Sequence, residues 1–161
     1  MSRRWPRLLF YFVALIAAAA DQGSKAWATG SLPGQPLTLI PGALDFRYLT
    51  GGNTGIAFGL FQGQIWLVAI FMVVLAGVAI YYARGLDWGR WEPNLVGGCL
   101  VGGAAGNLID RVRLGHVVDF IDLHAGPHHW PTFNVADSLV CVAVGWIVIR
   151  QLRSPAAAPS R

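Results

Sequence analysis

Residues 65–82 read IWLVAIFMVVLAGVAIYY, eighteen positions without a single charged side chain. A membrane-spanning helix needs about 20 mostly apolar residues, with a range of about 17–25, so this stretch predicts a transmembrane helix by itself. The composition agrees, because 55% of the 161 residues are hydrophobic, only 12% are charged, and the mean hydropathy is +0.50. Soluble domains carry about 25% charged residues. The sequence therefore predicts one membrane domain over residues 1–161.

The same composition excludes two other classes of protein. Cys99 and Cys141 are the only cysteines, and both lie inside apolar segments, which excludes a disulfide scaffold. The low charge and the 12% aromatic content exclude an intrinsically disordered chain. The net charge of +4 is explained by membrane topology, so we expect no nucleic-acid partner.

Three further apolar segments reach spanning length only when polar residues at one end are included. With them, the sequence predicts four transmembrane helices over about 8–28, 65–83, 94–110 and 135–151, and hence a mainly α, polytopic fold. The first segment has an alternative, since basic residues and the alanines at 17–20 resemble a cleavable signal peptide. Asp21 and Lys25 continue its helical stretch, and three more apolar segments follow, which favours a retained helix.

The positive charges predict the orientation of these helices. An even number of spans places both termini on the same side, together with eight of the twelve Lys and Arg residues: Arg3, Arg4, Arg7, Arg84, Arg90, Arg150, Arg153 and Arg161. Since cytoplasmic loops are enriched in Lys and Arg, we expect both termini to be cytoplasmic. Most acidic residues then lie near the outer face.

Two segments outside the helices are predicted to lie at that outer face. Residues 31–61 contain prolines, glycines and a period-two run around 44–49, which predicts a small antiparallel sheet with a second strand at 56–61. Residues 111–133 are predicted to form an outer loop. Within the third helix, Gly98, Gly102 and Gly106 recur every four residues, which lets another backbone approach closely.

Asp119 and Asp137 are the acidic residues with the strongest catalytic potential. Each has a structural alternative: Asp137 could stabilise a helix N-terminus, and Asp119 could pair with Arg111 or Arg113. Together they are more informative, because both lie near the same membrane boundary. Two carboxylates within a few ångströms share one proton, so one acid can activate a water while the other protonates the attacked carbonyl oxygen.

Other polar residues surround this boundary. Asn107 and Arg111 lie on one helical face, where they could hold a substrate carbonyl or lipid oxygen, or simply pair with Asp110 at the helix end. Asn53 lies in a glycine-rich turn, where it could bind an extended peptide or only form the turn. Asp21 and Lys25, four residues apart, are predicted to form a structural pair.

The histidines of the outer loop raise the alternative of a catalytic metal. The segment contains a dense set of candidate ligands: His116, Asp119, His124, His128 and His129. However, the sequence has no HExxH or similar helix-borne pair, and the adjacent His128 and His129 cannot easily share one site. We therefore expect neither a metal nor another cofactor.

The polar motifs, taken in order, resemble those of bacterial lipoprotein signal peptidase, signal peptidase II, an aspartic protease of the cytoplasmic membrane. Five motifs carry the resemblance: DQGSK at 21–25, NTGIAF at 53–58, GGAAGNLIDR at 102–111, GHVVDF at 115–120 and FNVADS at 133–138. Each motif alone is weakly specific, whereas five in the family's order, spanning residues 21–138, are highly specific.

The resemblance implies an activity and a set of roles. It implies that Asp119 and Asp137 are the catalytic pair, and that the substrate site is lined by Asn53, Asn107, Arg111 and Asn134. It further implies a prolipoprotein substrate already carrying diacylglycerol on its future N-terminal cysteine, cut just before that cysteine in the bacterial inner membrane. Membrane lipids are the other expected partner, and the chain is expected to be a monomer.

Two other classes of function remain open from the residues alone. A transporter or proton channel would use acids as a relay, but it predicts acids spread through the bilayer, whereas these gather at one edge. A non-catalytic assembly or lipid-binding protein would need only the glycine stripe and the aromatic residues. Cleavage of a lipidated precursor distinguishes both from a protease.

Overall fold

The computed structural model describes residues 5–48 and 87–153 of the chain. Its elements, in chain order, are three helices and four short strands: α1 (Trp5–Ser31), β1 (Leu37–Ile40), β2 (Leu44–Phe46), α2 (Trp91–Leu114), β3 (Ile121–Ala125), β4 (His128–His129) and α3 (Val135–Arg153). The prediction of a mainly helical chain with a small antiparallel sheet is confirmed. The apolar segment at 65–83 lies outside the described residues, as does the predicted strand at 56–61.

The helices extend further than the sequence predicted. We expected 8–28 for α1 and 94–110 for α2, but these helices cover Trp5–Ser31 and Trp91–Leu114. The polar residues near their ends do not stop them, because Lys25 and Asp110 are buried against other helices. Among the helices of residues 5–48 and 87–153, α3 alone is long and apolar enough to cross a membrane by length and composition.

Glycines on α2 allow close approach of both neighbouring helices. A Cβ built on Gly102 would lie 2.5 Å from the carbonyl oxygen of Ala14 and 2.6 Å from the Cβ of Ala17, both on α1. On another face of α2, a Cβ on Gly103 would lie 2.7 Å from the carbonyl oxygen of Ala136 on α3. The close approach predicted from the glycine stripe is therefore present, and it places α2 between α1 and α3.

Replacement of Gly102 with alanine is expected to lower the free energy of unfolding by about 1–3 kcal/mol, because the added methyl group meets backbone atoms that cannot move independently. Gly145→Ala on α3 is the matched control, since nothing lies within 4 Å of the position that an added Cβ would take and alanine favours helix by up to about 1 kcal/mol. Unfolding of the purified variants in detergent measures both. Equal stability of the two variants would contradict the tight contact.

The four strands form one antiparallel sheet in the order β1-β2-β3-β4. The pairing of β2 with β3 joins the two segments that the sequence predicts at the outer face, with Leu44 opposite Leu123 and Phe46 opposite Ile121. The prediction that residues 111–133 form a loop is therefore wrong for those residues of the segment that belong to a helix or a strand. Its first residues complete α2, residues 121–125 alternate apolar and polar side chains and form β3, and the two-residue β4 pairs with β3 in the same sheet.

An aromatic cluster attaches the sheet to the end of α1. The rings of Trp27, Phe46 and Phe120 meet edge to face, with centroids 5.5–6.2 Å apart. Phe120 is 2% exposed and packs with Ala28 and Leu32 in the hydrophobic core. Since Phe120 directly follows Asp119, this packing fixes the chain at the position where the candidate catalytic residue emerges.

Candidate active site

The centre of the site is a buried lysine between α1 and α2. Lys25 is 3% exposed, and its Nζ lies 2.8 Å from Asp21 Oδ2 and 3.0 Å from Asp110 Oδ2. The same Nζ donates to Asn107 Oδ1 at 2.9 Å. The three hydrogens of the ammonium group therefore match three acceptors, and one positive charge stabilises two buried carboxylates.

Each of these two carboxylates also accepts a hydrogen bond from backbone that leads to a candidate catalytic residue. Asp110 Oδ2 accepts from the N–H of Val118 at 3.0 Å, one residue before Asp119. Asp21 Oδ1 accepts from the N–H of Ala136 at 2.9 Å, one residue before Asp137. The backbone before both aspartates is thus fixed by acids that share Lys25.

Two asparagine amides connect the side chains of Asp119 and Asp137. Asn134 Nδ2 donates to Asp119 Oδ1 at 2.7 Å and to Asn107 Oδ1 at 3.1 Å. Asn107 Nδ2 then donates to Asp137 Oδ1 at 2.8 Å. We call this chain, Asp119–Asn134–Asn107–Asp137, the amide bridge. Although 119 and 137 lie on different elements, the bridge brings their carboxylates to one site.

Asp137 also takes part in the start of α3. Its backbone N–H donates to Asn134 Oδ1 at 2.9 Å, and its own Oδ2 accepts from the backbone N–H of Asn134 at 3.3 Å. This reciprocal pair is a capping box, which stabilises a helix N-terminus. The structural role considered for Asp137, stabilising a helix N-terminus, is therefore present, and Oδ2 performs it. The other oxygen, Oδ1, belongs to the amide bridge.

Arg111 lies beside the same carboxylates. Its Nη1 donates to the carbonyl oxygen of Asn107 at 3.2 Å, and its charge interacts with Asp137, Asp119 and Asp110. At the end of α2, Gly115 adopts a left-handed conformation with φ of 75° and caps the helix on the carbonyl of Arg111. The guanidinium group of Arg111 therefore adds positive charge near three acids.

The sequence assigns nine polar residues to catalysis, substrate binding or structural pairing, and the structure brings together eight of them: Asp21, Lys25, Asn107, Asp110, Arg111, Asp119, Asn134 and Asp137. Asn53 lies outside the described residues. Gln22 was not assigned a role, yet its Nε2 donates to Asp110 Oδ1 at 2.8 Å and to the carbonyl of Gly106 at 3.1 Å. Its position beside Asp21 in the first motif was the only indication in the sequence.

The burial of these groups determines what they can do. Asn134 is fully buried and Asn107 is 8% exposed, and their amide atoms already contact carboxylates, Lys25 or backbone. Asp119 is 6% exposed, whereas Asp137 is partly exposed. Two acids joined through the amide bridge, one of them partly exposed, have the groups needed to divide the roles of general base and general acid on a water.

Comparisons with a family model and with related sequences point to the same family, and a solved structure shares the fold. The family model described as signal peptidase (SPase) II matches residues 13–153. The lipoprotein signal peptidase of Syntrophotalea carbinolica is 37% identical over 151 residues, covering 90% of this chain and 91% of the relative. That of Thermosynechococcus vestitus is 41% identical over 142 residues, covering 84% and 86%. A bacterial membrane enzyme determined by the in meso method superposes with a TM-score of 0.77 at 27% identity, covering 94% of this chain and 93% of that one.

Proposed function

Because the chain belongs to the signal peptidase II family, we propose that it cleaves diacylglyceryl-modified prolipoproteins just before the lipidated cysteine, with Asp119 and Asp137 as its catalytic pair. The coarser activity follows from the family: the chain is a membrane protease that removes signal peptides from prolipoproteins. The observation that supports the catalytic assignment is the amide bridge between the two aspartates.

The proposed reaction needs no covalent intermediate. One ionised carboxylate takes a proton from a water held between the pair, and the water oxygen attacks the peptide carbonyl carbon. The other carboxyl group, protonated, donates to the carbonyl oxygen, and the proton taken from water finally reaches the leaving amine. Asn134 and Asn107 keep the two acids in register, and the low dielectric of the site strengthens these hydrogen bonds.

The substrate contacts are assigned by position. Arg111 interacts electrostatically with both acids, and its guanidinium group is a planar set of donors suited to a peptide carbonyl or a lipid ester oxygen. We extend the assignment to Asn53, as its motif implies. For Asn107 and Asn134 the hydrogen bonds within the site favour a positioning role beside any contact with substrate.

The proposed topology has four membrane-spanning helices, both termini in the cytoplasm, and the catalytic pair near the outer face of the inner membrane. Support comes from the apolar outer surfaces of the described helices, because Tyr11 and Leu15 on α1 are each 69% exposed, Val112 on α2 is 78% exposed and Val142 on α3 is 73% exposed. Such surfaces are costly in water and favourable in lipid. The acids of the site are gathered in one cluster, whereas the relay of a channel or transporter needs acids spread through the depth of the bilayer.

The decisive experiment is cleavage by the full chain in detergent. The substrate is a prolipoprotein peptide with diacylglyceryl-cysteine, and the control is the same peptide with unmodified cysteine. We expect cleavage before the lipidated cysteine alone, and unchanged rates after treatment with a chelator, assayed at a temperature where the treated protein is folded. Equal cleavage of both peptides would contradict the substrate, and loss of activity restored by Zn²⁺ would contradict the two-acid mechanism.

Asn134→Ala is expected to lower kcat by about 10²-fold with a much smaller change in KM, because a misplacement of reacting groups by about 1 Å costs that much. The matched control is Asn94→Ala, which removes a buried amide that binds the carbonyls of Trp88 and Arg90 at the other end of α2. Its kcat should stay close to that of the parent chain. A larger effect on KM than on kcat for Asn134→Ala would instead assign this residue to substrate binding.

A further inference from the structure

A second polar cluster lies on the sheet, built by strand register rather than by sequence proximity. Asp45 on β2 stands directly opposite Asp122 on β3, and His124 on β3 stands directly opposite His129 on β4. Positions 122 and 124 share a face because side chains alternate along a strand. Three neighbouring strands thus direct four potential metal ligands to one face, here called the sheet cluster.

Charge within the sheet cluster is only partly balanced. Like charges directly opposite each other destabilise a strand pair, and Asp45 and Asp122 form such a pair. Asp122 is fully buried between Arg47 Nε at 3.0 Å and His129 Nδ1 at 2.9 Å. With both histidines neutral, two carboxylates face one guanidinium group, and the cluster carries a net charge of −1.

His124 is the least satisfied member. Its Nε2 lies 3.3 Å from Asp45 Oδ2, but among residues 5–48 and 87–153 neither ring nitrogen has a partner in hydrogen-bonding geometry, although both are buried. Asp45 Oδ1 is in the same condition within this part of the chain. Buried polar atoms without partners cost about 1–3 kcal/mol each, and they are typical of places where a water or an ion binds.

The donor atoms are close enough for one ion. One ligand atom from each of Asp45, Asp122 and His124 lies within 4.8 Å of the others, and donors around a tetrahedral Zn²⁺ at about 2.1 Å stand about 3.4 Å apart. Binding of an ion would require side-chain rotations that shorten these separations, and Asp122 would exchange its contact with Arg47, whose side chain is 32% exposed, for the ion. Imidazole nitrogen with carboxylate oxygen is a donor set that suits Zn²⁺.

We propose that Asp45, Asp122 and His124, with His129 as fourth ligand, bind a divalent transition-metal ion of the Zn²⁺ class. The ion is structural: it joins residue 45 to residues 122–129 and so ties β2 to β3 and β4 across 76 intervening positions. It lies outside the network of Asp119 and Asp137 and takes no part in peptide hydrolysis.

The test uses the full chain without a histidine tag, purified in detergent and stripped of metal. Titration with Co²⁺ should give a visible absorption band that saturates at one ion per chain and disappears when Zn²⁺ is added. The midpoint of thermal unfolding should rise with Zn²⁺ concentration, as expected for a ligand of the folded state. Peptidase activity of the stripped chain should be unchanged below that midpoint.

Variants identify the ligands. His124→Ala and Asp45→Asn should each raise the Kd for Co²⁺ at least about tenfold, whereas His128→Ala should leave it unchanged, because His128 pairs opposite Ala125 and faces the other way. Asp45→Asn keeps the side-chain volume. If His124→Ala does not fold, the Kd of Asp45→Asn for Co²⁺ tests the proposal by itself. Absence of Co²⁺ binding would overturn the proposal. Equal weakening by His128→Ala would also overturn it, because the ion would then bind adventitiously rather than at the sheet cluster.

Discussion

Asp119→Asn and Asp137→Asn are each expected to reduce kcat by about 10⁴-fold, to the background of the assay, with the fold retained. Asparagine preserves the shape of the side chain and its ability to accept a hydrogen bond, but it can neither take a proton from water nor give one to the substrate. General acid–base catalysis contributes about 10²–10⁴-fold, and in the proposed mechanism both roles fail together because the two acids share one proton. Single-turnover cleavage of the lipidated peptide measures the effect.

The double variant sharpens this prediction. If the two acids act as one unit, Asp119→Asn/Asp137→Asn should be no slower than either single variant. Asp87→Asn, an exposed position outside the network, is the control and should retain parental kcat. A single variant that keeps a tenth of parental activity, with correct cleavage position, would remove that residue from the catalytic pair.

Lys25→Ala is expected to lower the free energy of unfolding by about 3–5 kcal/mol, because it leaves the buried carboxylates of Asp21 and Asp110 without their cation. Arg90→Ala is the control. Its ion pair with Glu92 spans 3.7 Å with the Arg90 side chain 56% exposed, so removal should cost at most about 1 kcal/mol. Chemical unfolding in detergent compares the two variants.

The same replacement should impair catalysis in the molecules that remain folded. Asp21 and Asp110 anchor the backbone before Asp137 and Asp119, so loss of Lys25 disturbs both acids and lowers kcat more than it raises KM. The triple variant Lys25→Met/Asp21→Asn/Asp110→Asn removes all three charges and should recover much of the lost stability. Parental stability of Lys25→Ala would show that the buried charges are compensated elsewhere.

The helical part of the fold was readable from the sequence because it depends on local patterns. Apolar runs predict the helices. The four-residue spacing of Gly98, Gly102 and Gly106 predicts which face of α2 another helix approaches closely. The sheet was only partly predictable. The alternation around 44–49 predicts a strand there, but the strands at 121–129 are only two to five residues long. They depend on pairing between distant segments, β3 with β2 and β4 with β3, and no local pattern records that pairing.

The active site shows the same division. The spacing of Asn107 and Arg111 on one helical face could be deduced from 3.6-residue periodicity, and so could the pair of Asp21 and Lys25. The pairing of Asp119 with Asp137 in one site is implied by the resemblance alone, because residues 18 positions apart on different elements have no fixed distance. The contacts of Gln22 and of the backbone N–H groups of Val118 and Ala136 depend on how the helices pack. A single sequence does not specify that packing.

The capping box at the start of α3 has a mechanical consequence. Asp137 Oδ2 accepts the N–H of Asn134, and a carboxylate accepts such a bond more strongly than a neutral acid does. In the proposed mechanism, a proton bound at that oxygen would weaken the hydrogen bond that caps the N-terminus of α3, and loss of the proton would strengthen it again. The strength of this helix cap therefore depends, in that mechanism, on whether Asp137 carries a proton at a given stage of the reaction.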